Sequence, residues 1–483
     1  MKYFLGIDLG TSGCRSAVFD EDLRMLSQAA VDIPIYKISS DEVEQEAEDW
    51  WQGLVETTRK ALQIAAIPAR EIQALSISSQ SISVVPVGAD GNPLSRALSW
   101  LDSRAEKQRE LLEQRYSFET LYAITGKRSS AIYTLPKVCW FAQERPEIFH
   151  RAHKFLLPMD FLIYRLCGAY STDHTCAGGT MYYDIRTCRW FDSALNQCGI
   201  PSAKLPDLQW SGTPVGTLSP EAASVLGLRP ETIVAMGGQD QKCASLGAGL
   251  DADSTTVSLG TAGCVEYLST EPVGDPQCRI PLFAYLFPNT WVLEGILSTC
   301  GICYSWFREI LGTDVSFREM DRFASEAPPL EQPVFFYPYL SGSSSPNWTE
   351  TTGYFARLSL ATTKGHLLKS IMEGIAYSIR ANLTSMERFL APRKTLKLFG
   401  GCAKSPLFSQ IIANITGKEV VVCPQAEMAL IGAAKLAMQG AGVAIPSTAS
   451  DSLRYRPEPD AVEKYNRNYA EYEALRRHLF DIM

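Results

Sequence analysis

The stretch Asp8-Leu9-Gly10-Thr11-Ser12-Gly13-Cys14 decides how this chain is read, because it returns about 250 residues later as Ser258-Leu259-Gly260-Thr261-Ala262-Gly263-Cys264. Each copy follows a strand-type run, Tyr3-Phe4-Leu5-Gly6-Ile7 and Thr255-Thr256-Val257, and each leads into another, Arg15 to Phe19 and Val265 to Leu268. Two such runs joined by Gly-Thr-x-Gly predict a hairpin. Glycines in a turn bare backbone N–H groups and the hydroxyl adds a donor, so the turn suits phosphate oxygens. Two of these hairpins in two similar halves predict a nucleotide clamped between domains. Only the first copy carries a carboxylate, Asp8.

The bulk properties narrow the field. A chain of 483 residues has room for two or three domains with large cores. Hydrophobic residues at 46% and charged residues at 20% are ordinary for a globular protein. A formal charge of −8 argues against a nucleic-acid partner, which needs a basic face. No apolar run reaches about eighteen residues, so no membrane span is expected. The N-terminal apolar stretch ends at Asp8, too soon for a signal-peptide core, and a cytoplasmic location is expected. The 13 cysteines are scattered. Cys300 and Cys303 have redox spacing, but no second pair or histidine completes a zinc site, so buried reduced thiols are expected. No histidine pair has the helical His-x-x-x-His spacing, and His150 and His153 read as surface residues.

Helical periodicity is clear over Glu44 to Ile67, Ser103 to Tyr116, Leu367 to Phe389 and Ala461 to Phe480. Strand-like runs fall at Ala74 to Ile77, Thr232 to Met236, Trp291 to Leu293 and Glu419 to Val422. This alternation predicts an α/β protein. Gly247-Ala248-Gly249 offers a flexible joint just before the second hairpin, which divides the chain into domains 1–249 and 250–483.

Four segments carry candidate chemistry. Asp8, at a strand end beside a phosphate cradle, suits Mg²⁺, or else it satisfies turn N–H groups. Gly237-Gly238-Gln239-Asp240 lies between a strand and the helix expected over Gln241 to Leu246, the place where ligands of open α/β sheets collect. Asp240 there is a candidate general base for a substrate hydroxyl attacking a γ-phosphate, or a plain N-cap; the paired glycines favour close approach of a ligand. Phe399-Gly400-Gly401-Cys402-Ala403-Lys404-Ser405-Pro406 leaves room for a flat group such as adenine, or simply turns a strand into a helix. That helix has Ser405 as N-cap, Pro406 as first residue and Gly417 as stop. Trp100-Leu101-Asp102-Ser103-Arg104 combines a ring, a carboxylate and a guanidinium that suit a polyhydroxy compound, with a helix cap at Asp102 as the other reading.

Taken in this order, the motifs resemble those of the FGGY carbohydrate kinases, within the sugar kinase, heat-shock chaperone and actin superfamily, and most of all its xylulokinase-like branch. The resemblance runs from the first hairpin to Gly432-Ala433-Ala434. It implies two actin-like (ribonuclease H-like) α/β domains flanking a catalytic cleft, and ATP as co-substrate with Mg²⁺. It makes Asp240 the catalytic base and puts Asp8 and Asp240 on the metal. Thr11, Ser12 and Gly13 of the first hairpin would face ATP, as would Gly260 and Thr261 of the second. Gly301, in a Gly-x-x-x-x-Trp helix ending at Trp306, would line the nucleotide site with Gly400, Gly401, Lys404 and Ser405. Gln80, Ser81, Trp100, Asp102, Arg104, Asp240 and Gln241 would bind the acceptor. Tyr339 to Gly342, Glu373-Gly374 and Glu427 also match the family pattern.

One departure bears on the substrate. After the strand Leu75 to Ser78 this chain has Gln80-Ser81-Ile82-Ser83, whereas xylulokinases resemble Gln-Met-His-Gly there and glycerol kinases Gln-Arg-Glu. The expectation is an ATP-dependent kinase of a ketose, a xylulose-like pentulose before all; another polyol or a sugar acid, of the glycerol, erythritol or gluconate type, is the alternative. A binding or regulatory protein without turnover is the competing class. About fifty residues after Gly432 are too few for a chaperone's peptide-binding domain. The resemblance is consistent with a homodimer.

Overall fold

The computed structural model describes residues 2–312, 314–425, 427–446 and 452–480. Both repeated segments are antiparallel hairpins. Tyr3–Leu9 pairs with Gly13–Asp20, ending at Leu9 opposite Cys14, and Ser254–Leu259 pairs with Gly263–Ser269, ending at Leu259 opposite Gly263.

Each hairpin nucleates a sheet with the same strand order. In the first, Met25–Asp32 flanks the hairpin, Ile72–Ser79 lies parallel to Tyr3–Leu9, Ile233–Ala235 follows in parallel and Pro214–Thr217 closes the edge antiparallel. In the second, Trp291–Leu297 flanks the hairpin. Thr395–Phe399 and Glu419–Val422 follow in parallel, and Leu453–Tyr455 closes the edge antiparallel. One extra strand, Leu282–Ala284, extends the far edge. The duplication inferred from seven residues therefore extends to the topology of two whole sheets. The central strands are buried along nearly their full length, as expected where helices cover both faces. A third core, with Leu98, Leu121, Val138, Phe155 and Tyr182, fills an elaboration of the first half.

The halves exchange one element. The helix Met428–Gly440, late in the chain, packs on Tyr3–Leu9, Ile72–Ser79 and the helix Asp240–Gly247 of the first half. Gly432 makes this crossing possible, since a Cβ there would overlap the Cys243 carbonyl oxygen. Gly247, read above as part of a flexible joint, is instead a helical residue pressed on the Met428 carbonyl. A cut near residue 250 thus separates the halves in sequence but not in space.

Several expected boundaries shift. The helix expected from Glu44 begins at Ala47, because Val43–Gln45 pairs as a strand with Ala97–Leu98. The helix expected from Ser103 spans only Glu106–Glu113, since Asp102 binds neighbouring groups instead of capping it. The helix after Ser405 keeps its expected ends: the Ser405 hydroxyl accepts from Phe408 N at 3.1 Å, Pro406 is the first residue and Gly417 stops it at φ 68°. All 13 cysteines are free thiols, and His150 and His153 are exposed.

Candidate active site

The expected base sits at the first position of the helix Asp240–Gly247. It is not the N-cap; that role belongs to Gln239, whose side chain accepts from Lys242 N at 3.3 Å. Asp240 Oδ1 accepts from Gln239 Nε2 at 2.5 Å and from Gln241 N at 2.7 Å. Behind it, Asp173 Oδ2 accepts from the Thr175 hydroxyl at 2.5 Å, and that hydroxyl accepts from Gln239 N at 2.7 Å. The backbone before Asp240 is therefore pinned from below. The paired glycines are required by this packing: a Cβ on Gly237 would overlap the Ile77 carbonyl oxygen, and one on Gly238 would press on Leu286.

Asp8 stands close by. Its Oδ1 accepts from Ser78 Oγ at 2.8 Å and its Oδ2 lies 3.5 Å from Arg15 Nη1. Burial raises the Asp8 pKa, against the opposing pull of Ser78 and Arg15. Burial also pushes Asp240 up to about 7, with repulsion from Asp8 the next cause. Two carboxylates close enough for Asp8 to raise Asp240 form a donor set fit for a hard divalent cation. Of the described residues, Asp8 and Asp240 are those that would hold it.

Across the cleft lies a cavity of about 720 Å³. Gly260 and Thr261 of the second hairpin, Gly301, Gly401, Lys404 and Ser405 all line it, as the sequence leads one to expect. Gly400 stands just behind, at φ 100° and hard against Leu259, so it shapes the turn while Gly401 faces open space. The helix Gly301–Leu311 is seated by the hairpin itself: Gly301 N donates to Gly260 O at 2.8 Å and Cys300 N to Thr261 O at 3.0 Å. Tyr304, inside the expected Gly301 to Trp306 segment, lines the cavity too, as do Phe317, Asp321, Met372 and Ile375, which were not anticipated. They sit on amphipathic helices whose apolar and polar faces look like any surface helix in sequence. The Tyr304 hydroxyl donates to Asp321 Oδ1 at 2.8 Å.

The expected acceptor residues divide. Trp100 is half-buried, and its indole Nε1 donates to the Thr11 hydroxyl at 2.7 Å, tying the acceptor side to the first hairpin. Ser81 keeps exposed surface, as do Thr11, Ser12 and Gly13. Asp102 and Arg104 lie within the wall. Asp102 is 0% exposed, accepts from Val43 N at 2.7 Å and pairs with Arg104 at 2.8 Å, while Arg104 also reaches Glu44 at 2.9 Å. Their polar atoms are spent on folding the segment around Trp100. Gln80 is likewise buried, donating to Gln45 Oε1 at 3.1 Å and accepting from Ser83 Oγ at 3.4 Å, so it braces the wall. Gln241 turns toward the other half, where its Oε1 accepts from Ser258 Oγ at 3.1 Å.

This site, built of two repeated hairpins, a cleft carboxylate pair and a nucleotide-sized cavity, has known counterparts. The FGGY family of carbohydrate kinases matches the chain with its N-terminal domain over residues 3–247 and its C-terminal domain over residues 255–441. The chain belongs to that family and is a phosphotransferase with an alcohol group as acceptor. It is 28% identical to the xylulose kinase of Bacillus subtilis (strain 168), covering 100% of this chain and 98% of the relative. It is 26% identical to the gluconokinase of the same organism, covering 96% and 93%. The crystal structure of ligand-bound xylulose kinase from Lactobacillus acidophilus superposes with a TM-score of 0.93 over 99% of this chain and 98% of that one, at 23% identity. At that identity the likeness concerns the fold, two actin-like domains about a cleft. Among the described residues no helix is long and apolar enough to cross a membrane.

Proposed function

We propose that this kinase transfers the γ-phosphoryl of ATP to a hydroxyl of a ketose, a xylulose-like pentulose before other acceptors, in the cytoplasm. One observation carries the mechanism: both hydrogen bonds to Asp240 fall on Oδ1, from Gln239 and Gln241, which leaves Oδ2 for the acceptor. The acceptor hydroxyl gives its proton to Oδ2 while its oxygen attacks the γ-phosphorus. The bond from that phosphorus to the bridging oxygen breaks, and ADP leaves with the electron pair. Thr261 and the backbone N–H of Gly260 hold phosphate from the side opposite Asp8. Mg²⁺, held by Asp8 and Asp240, would offset charge on the polyphosphate. Tyr304 and Asp321, with the open face of Gly401, receive the nucleoside. Closure of the cleft keeps water from competing as acceptor.

The acceptor is chosen by Ser81, Trp100 and Asp240, since Gln80, Asp102 and Arg104 are spent in the wall. A pentulose accords with the xylulose kinases among the relatives, at 28% and 29% identity. A sugar acid is the second reading, supported by the gluconokinase at 26% identity and by the missing His of the Gln-Met-His-Gly pattern. Sugar-stimulated ADP release over pentuloses, hexuloses, polyols and aldonates tests both. Turnover fastest on a pentulose upholds the first reading and turnover fastest on an aldonate the second. No stimulation across the panel overturns the kinase assignment in favour of a regulator.

A further inference from the structure

Three consecutive residues behave differently at the start of the Asp240 helix. Asp240 faces the cleft, Gln241 accepts from Ser258 of the second hairpin, and Lys242 buries its ammonium in the other half of the molecule. Lys242 is 0% exposed. Its Nζ lies 2.9 Å from Glu266 Oε1, pairs still more closely with Glu294 and sits 4.0 Å above the Phe283 ring. Glu266 and Glu294 stand directly opposite each other on Gly263–Ser269 and Trp291–Leu297. Like charges at such a pair repel, and both are buried or nearly so, so the second sheet requires a cation there. Cys264, Glu266 and Glu294 come close enough together to resemble a metal site. The Lys242 ammonium fills that role. Gly263–Ser269 is the strand that leaves the second phosphate hairpin, so the ion triad ties the base-bearing helix to that strand, beside the direct link from Gln241 to Ser258.

Resting on the kinase reading above, we propose that Lys242, with Glu266 and Glu294, is a positioning element for phosphoryl transfer. It sets the distance between the Asp240 carboxylate and the second hairpin across the cleft. A loosened tie would leave acceptor and nucleotide bound but misaligned, and reacting atoms misplaced by about 1 Å lose on the order of a hundredfold in rate. Water, which needs no alignment by Asp240, would then gain on the sugar as acceptor.

The test compares the full-length wild type with the triple variant Lys242→Met, Glu266→Gln, Glu294→Gln, which removes the ion triad as a whole. Its fold is checked by circular dichroism and by nucleotide binding. The expected result is a folded protein with kcat at least tenfold lower and KM for ATP and sugar within threefold. The sugar phosphate formed per ADP released should also fall. A role confined to stability would lower thermal tolerance and leave kcat and that ratio alone, and this outcome overturns the proposal. Should the triple variant not fold, Glu266→Gln alone, which keeps Glu294 on the ammonium, must still lower the ratio or the proposal fails. Absence of sugar-stimulated turnover in the wild type would instead remove the kinase reading on which the proposal stands.

Discussion

In the first hairpin the residue ahead of Leu-Gly-Thr is Asp8, held by Ser78 and Arg15 within its own half. In the second the same place is taken by Ser258, whose hydroxyl donates to Gln241 of the other half. The threonines differ in the same sense. Thr11 accepts from the Trp100 indole on the acceptor side, whereas Thr261 lines the nucleotide cavity and braces the helix Gly301–Leu311 through its carbonyl. Two sheets of one topology thus carry unlike chemistry: the first copy holds a carboxylate within its own half, and the second holds a neutral hydroxyl and seats the helix Gly301–Leu311. A repeated motif conserves the turn, while its chemistry follows from what packs behind it.

This contrast can be broken by substitution. The largest effect is expected at the unequal position: Asp8→Ala should lower turnover by on the order of 10³-fold, whereas Ser258→Ala should cost less than about tenfold, the worth of one neutral hydrogen bond. Steady-state rates of both variants decide it, and similar losses would show that the hairpins share one role. Next comes the crossing helix. Gly432→Val would drive a side chain into the Cys243 carbonyl, and overpacking of this kind costs roughly 3 kcal/mol or more. Expression yield and thermal unfolding should show the first half, not only the second, losing its structure.

Smaller effects sharpen the division between the threonines. Thr261→Ala should raise KM for ATP about tenfold with kcat little changed, as loss of one hydrogen bond to a charged group requires. Thr11→Ala, which frees the Trp100 ring, should instead raise KM for the acceptor by roughly fivefold. A swapped pattern in the two KM values would reverse the assignment. The mildest test is pH. Asp240 is raised to about 7, so its protonated form dominates below that value, and kcat/KM for the acceptor should rise with pH through about 7 and then level. The folded protein holds this proton more tightly than the unfolded chain, whose carboxylate titrates near about 4. Stability without ligand should therefore decline as pH climbs from about 4 to about 7. Thermal unfolding of Asp240→Asn should lack that decline.

Much of this was legible in the residues themselves. Gly-Thr-x-Gly between two apolar runs leaves little but a hairpin, and Ser405, Pro406 and Gly417 delimit a helix by local rules that no distant contact overrode. The strand Glu419–Val422 stands where its run of valines put it. Other readings failed because the partner lay far along the chain. Trp100-Leu101-Asp102-Ser103-Arg104 looks like a sugar site in one dimension. In three, Val43 and Glu44 occupy the carboxylate and the guanidinium, and the half-buried Trp100 gives its indole N–H to Thr11. The glycines of Gly237-Gly238 point as well to a ligand as to a neighbouring strand, and only the Ile77 carbonyl shows that the strand requires them.

What the sequence determined unaided is therefore local and repetitive: two Gly-Thr hairpins, an α/β alternation, a strand-to-helix junction at Asp240 and a glycine-opened cavity wall. These depend on backbone conformation and on periodic burial, which neighbouring residues settle among themselves. The tertiary structure alone decided which polar groups stay free for chemistry. It spent Gln80, Asp102 and Arg104 on the wall, brought Asp8 within electrostatic reach of Asp240, carried Met428–Gly440 back to the first sheet and sank Lys242 between Glu266 and Glu294. A buried charge must find its counter-charge wherever the fold supplies one, and that distance in space is not written as distance along the chain.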